Sequence, residues 1–144
     1  MFHEQEQRIL DRLVERLGPD VTVAPMREIE RVPELRQRAP AAWVIYDGFR
    51  TGPQNGDPRA QVQQLVLDWY VVVAAKSARG NGEGNDARDQ AGALAAKAIE
   101  ALLGFDMGGG KFLRLGEAPG PEYDAGYCFL PIAFSCAATF KGQP

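Results

Sequence analysis

From Ala60 to Lys76 the chain reads AQVQQLVLDWYVVVAAK, and no other stretch restricts the fold as much. Leu65, Leu67, Trp69, Val71, Val73 and Ala75 occupy alternate positions, while Val62, Gln64, Val66, Asp68, Tyr70 and Val72 between them are mixed. Successive side chains of a strand point to opposite faces, so the first set predicts a core-facing row. The second set predicts a face that is partly wet or set against a partner.

Other segments read as companions to this strand. AAWVIYDGF (41–49) predicts a strand with Trp43 and Ile45 on one face and Val44 and Tyr46 on the other. RTGPQNGDP (50–58) is turn chemistry, which makes an antiparallel hairpin the natural pairing. The last strand, 126–140, puts Cys128, Leu130, Ile132, Phe134, Cys136, Ala138 and Phe140 on one face. Pro131 within it has no N–H for a ladder and marks an edge or a bulge. VTVAPM (21–26) and the end of MGGGKFLRLGEA (107–118) read as short strands, and EAPGPEYD as a Pro/Gly loop.

Two segments carry helical spacing instead. In residues 4–17, Ile9, Leu10, Leu13, Val14 and Leu17 form an apolar stripe, and GPD supplies the stop. After the glycine-rich SARGNGEGND (77–86), Ala87, Ala91, Leu94, Ala95, Ala98 and Leu102 form a narrow stripe of mostly small side chains. Asn85 or Asp86 is expected to cap this helix, with Asp86 and Asp89 in its first turn. Gly104 is expected to end it, with Phe105 packing back. Residues 27–39 are ambiguous, VPELRQRA suggesting a helical turn. The order α-β-(α)-β-β-α-β-β predicts one α+β domain over 1–144: a mainly antiparallel sheet of four or five strands, with two helices on one face.

The charge balance narrows the function. Net charge is −3, from 16 basic and 19 acidic residues. Seven arginines in the first 38 residues are interleaved with eight acids, as in REIERVPELRQR, which reads as a solvated surface and not a phosphate-binding patch. Specific nucleic-acid binding is not expected. No apolar run approaches the ~20 residues of a membrane span, and the glutamates of MFHEQEQRIL argue against a secretory signal. Cys128 and Cys136 are expected to be buried free thiols.

Catalytic groups are hard to assemble. His3 is the only histidine, which leaves a Cys/His zinc site short of ligands and Ser77 and Ser135 without a base. Gly80, Gly82 and Gly84 mimic a phosphate loop, but the spacing is wrong and no Lys-Ser/Thr follows. Asp68 is the most suggestive carboxylate, yet Gln64, Val66 and Tyr70 beside it offer no second acid or base. No enzyme, metal or cofactor is predicted. A small-molecule or enzymatic α+β domain remains as an alternative if a pocket forms around Asp68 and Tyr70. Tyr46, Val66, Tyr70 and Val72 leave the outer face more apolar than solvent requires. Either another segment of the chain covers it, or a neighbouring subunit does.

The combination resembles the phage tail terminator proteins, in particular the small tail proteins of Mu-like phages and prophages. The resemblance is carried by ILDRLVERLG, the strand QVQQLVLDWYVVVAA, the helix ARDQAGALAAKAIEALLG, KFLRL and the final GYCFLPIAFSCAATF. It implies a structural protomer that assembles with itself into a ring, commonly a hexamer. Such a ring caps the tail tube, stops its growth and offers a surface to the neck or head-completion protein. DNA may pass through without specific binding. It further implies a place in the virion tail, with assembly in the host bacterial cytoplasm. Another head–tail joining or minor tail protein is the nearest alternative. Asp68, Tyr70 and Val72 on the long strand, and Arg79 and Glu83 in the glycine-rich loop, are the expected contacts with a neighbouring subunit or the tube.

Overall fold

The computed structural model describes residues 2–26, 39–52, 59, 61–77, 84–124 and 126–143. In chain order the elements are α1 (Phe2–Leu17), β1 (Thr22–Pro25), β2 (Ala41–Thr51), β3 (Val62–Lys76), α2 (Gly84–Leu102), β4 (Arg114–Leu115), β5 (Glu122–Asp124) and β6 (Tyr127–Lys141). The chain is α+β, as its periodicities predict. The segment 27–38, where a helical turn was suggested, lies outside the described residues.

The sheet runs β1-β2-β3-β6-β4, with β5 also paired to β6. Every pair is antiparallel except β1–β2. Its six strands exceed the four or five expected because of β5, which is only three residues long. EAPGPEYD, read as loop, contributes β5; such short pairings leave no periodic signal. The β3–β6 ladder is unbroken from Val62↔Lys141 to Lys76↔Tyr127. Pro131 fits it without loss. The Ala133 carbonyl accepts from the Gly116 N–H at 2.9 Å, so Ala133 faces away from β3, and alternation turns Pro131 the same way.

The odd row of β3 from Leu65 to Ala75 is buried throughout. It meets Ala42 and Val44 of β2, and Cys128, Ile132, Phe134, Cys136 and Ala138 of β6. Both helices cover this face. α2 lays Ala87, Ala91, Leu94, Ala95, Ala98 and Leu102 on it, all buried, and small side chains let the helix backbone come close. α2 begins at Gly84, so Asp86 lies inside its first turn and is not its cap. Gly104 follows at φ +76°, a left-handed stop that glycine adopts without strain. The Phe105 N–H bonds back to the Leu102 carbonyl at 2.9 Å, and the Arg12 guanidinium sits 4.9 Å from the Phe105 ring centre.

α1 buries Ile9, Leu10, Leu13 and Leu17, but Val14 faces solvent and Gln5 is buried instead. The apolar stripe is thus narrower than expected, because α1 rests on α2, β1 and β2 along one line. Cys128 and Cys136 are free and buried. Burial pushes both thiols above their ordinary pKa.

Candidate assembly surface

The β2–β3–β6 register fixes what the face opposite the helices displays. Trp43↔Val72 and Ile45↔Tyr70 join β2 to β3, and Asp68↔Ser135, Tyr70↔Ala133 and Val72↔Pro131 join β3 to β6. Asp68, Tyr70 and Val72 therefore share this face, as their alternation predicts, and each is half-buried. Arg79 and Glu83, the other two expected contact residues, lie outside the described residues.

Two hollows mark the face. One, of about 570 Å³, is apolar at its floor, with Ile45, Val72, Phe129 and Pro131, and is walled by Met26 and Tyr123. Behind it a small cluster of Ala39, Ala41, Trp43, Ala74 and Phe129 closes that end of the sheet. The other hollow, of about 430 Å³, surrounds Asp68, with Asp47, Arg50, Tyr70, Glu117 and Ser135 contributing polar groups. Among the described residues no helix packs on either.

Within the polar hollow Arg50 holds Asp68 through two hydrogen bonds, Nε to Oδ2 at 2.9 Å and Nη2 to Oδ1 at 3.0 Å. The parallel fork matches a guanidinium to a carboxylate, and Asp68 keeps the Arg50 proton firmly in place. Arg50 was hidden within what reads as turn chemistry. It reaches Asp68 because β2 carries a bulge: Tyr46 pairs with Trp69 and Phe49 with Leu67, so Asp47 and Gly48 together face Asp68. That one-residue shift puts Arg50 opposite Val66, diagonal to Asp68 on the same face. A carboxylate whose two oxygens are both held by a guanidinium serves as a recognition group. His3, in α1, joins neither of them.

Tyr46 corrects the expectation that grouped it with Val66, Tyr70 and Val72. Opposite Trp69, it lies on the helix-bearing face, with ring centres 5.2 Å apart. Phe2 packs on Tyr46 at 5.1 Å and on Phe140 at 6.0 Å. Burial, then the negative charge of Asp68, raises the Tyr46 phenol pKa. Phe2 and Tyr46 remain 37% exposed and Phe49 beside them 55%, which makes an aromatic patch at the far end of the sheet. Phe2 lies in α1, far along the chain from Tyr46 and Phe49 in β2; the packing of Phe2 on Tyr46 gathers them.

Against known proteins, residues 5–144 match the family model described as phage tail terminator protein. No curated protein matches the chain.

Proposed function

We propose that this chain, which belongs to the phage tail terminator family, closes the growing tail tube as a ring of identical copies. A phage tail structural role and a location in the virion tail follow from the family. The finer reading is that the whole chain acts as one domain of a ring, six copies being the expected number. One rim binds the last layer of tube protein, and the other refuses a further layer and receives the neck or head-completion protein. Assembly in the host cytoplasm and origin from a Mu-like phage or prophage complete it.

The family match carries the proposal; the surface supports it. An apolar hollow beside an Arg50-clamped Asp68, on a face without a helix among the described residues, suits a subunit or tube contact. Asp68, Tyr70 and Val72 are the contacts proposed on this face, and Arg79 and Glu83 of the glycine-rich segment are proposed with them from the sequence. Work of this kind is done by shape, so the protein is proposed to have no enzymatic activity. The enzymatic alternative would use the polar hollow, where Asp68 is bound by Arg50 and no histidine stands beside Ser135 among the described lining residues.

The test is to add purified protein to polymerising tail-tube protein and measure tube lengths by electron microscopy. Lengths should shorten with dose, with the protein found at one tube end. Unchanged lengths and bare ends would refute the capping role.

A further inference from the structure

The three long strands outrun the short ones beside them, and that leaves two open edges at the same end of the sheet. β1 pairs with β2 only from Ala41 to Val44, and β4 pairs with β6 only at Phe134 and Ser135. Beyond those points β2 continues to Thr51 and β6 to Lys141, both still bonded to β3 on their inner sides.

Which groups point outward follows from the ladder. The Gly52 N–H donates inward to the Gln64 carbonyl at 2.8 Å, so Thr51 and Phe49 turn their N–H and C=O away from β3. On β6, Ala133 faces outward, and alternation carries this to Ala137, Thr139 and Lys141. Among the described residues none of these outward groups has a backbone partner. Each is a template for an added strand.

We propose that these edges pair with each other between copies: the Phe49–Thr51 edge of one protomer takes the Ala137–Lys141 edge of the next. This rests on the ring reading above and names the contact that builds it. Three observations favour a second copy as the occupant. The edges lie on opposite sides of one sheet, so the contact is head-to-tail and repeats around a ring. They lie at the same height, Thr51 opposite Leu65 of β3 and Thr139 opposite Gln64. Their charges differ: on the β2 edge Arg50 is neutralised by Asp68 and Asp47 stands close by, whereas Lys111 and Lys141 border that of β6, with Lys111 bonded to Thr139 at 3.2 Å. Pairing β6 with β6 would crowd the lysines; pairing β2 with β6 does not. The exposed Phe2, Tyr46 and Phe49 then supply apolar area beside the new ladder. Rotation about an axis along the strands keeps their direction. β2 and β6 are each antiparallel to β3, and the intermolecular pair is parallel.

The test uses the full chain with Thr51→Cys or Thr139→Cys; both native thiols are buried. The two side chains, opposite Leu65 and Gln64 of β3, leave the sheet by different faces, so the cross-linker is a long, flexible bis-maleimide able to pass round the strand ends. Mixing the two single variants should give a cross-linked dimer that neither gives alone, and the double variant a ladder whose top rung counts the copies. Circular dichroism confirms that the variants fold. Cross-links within one single variant, or none in the mixture, overturn the proposal. Light scattering separates this from the ring itself: an intact oligomer without these cross-links sinks the edge pairing and leaves the ring standing.

Discussion

Trp69 shows how much one side chain carries. It is 1% exposed, at the centre of the core, yet its indole N–H has no hydrogen-bond partner. A buried donor left unmade costs about 1–3 kcal/mol, while the ring's burial contributes more. Trp69→Ala should therefore lower unfolding stability by about 3–5 kcal/mol. Trp69→Phe removes the orphan donor with most of the volume kept and should cost under about 1.5 kcal/mol. Urea unfolding of both variants checks the pair. The buried thiols set a pH limit. Cys128 and Cys136 hold their protons more tightly folded than unfolded. Below the unfolded thiol value of about 8.5 neither state gains by release, and stability is flat in this respect. Above it the unfolded chain alone loses protons, so stability falls as pH rises towards the folded values. Melting temperature should decline above about pH 8.5 and decline less steeply in Cys128→Ala/Cys136→Ala. At this scale alternation predicted the buried row of β3 and the thiol face of β6. It missed the Arg50–Asp68 clamp, which depends on a bulge whose only sequence trace is one glycine, and the true side of Tyr46, which depends on the register of β2 against β3.

Among the elements, β2 and α2 differ in what glycine does. Gly48 in the bulge has φ +101°, and a Cβ there meets no atom within 4 Å. Gly48→Ala is then a matter of backbone strain alone and should cost about 1–2 kcal/mol. Gly92 on the exposed side of α2 also has open space around it, without positive φ. Gly92→Ala should stabilise by about 0.5–1 kcal/mol. Thermal melts of the two variants should move in opposite directions. On the buried side of the same helix, Ala98→Leu should cost about 1–3 kcal/mol by forcing α2 off the sheet. Both helices and the three long strands were legible because each has enough residues to express a period. The short β4 was announced by the glycine turn before KFLRL, whereas β5 was not, since three residues bonded to β6 carry no period. The parallel course of β1 was equally invisible, being set by the chain's path and not by its side chains.

For the whole molecule, one architecture accounts for both faces of the sheet. Helices seal one face into the core, and the other keeps an apolar hollow and a clamped carboxylate that the described residues leave uncovered. The element order could suggest a phage tail protein; the family match establishes it. The order and contact geometry of the proposed ring left no trace in the sequence, because a single chain's periodicity does not encode contacts between copies. The most direct measurement is tail length by electron microscopy in phage particles made without this protein. The account predicts tails that overgrow to uneven lengths and fail to join heads, with normal tails restored when the protein is supplied in trans. Tails of normal, uniform length in its absence would contradict it.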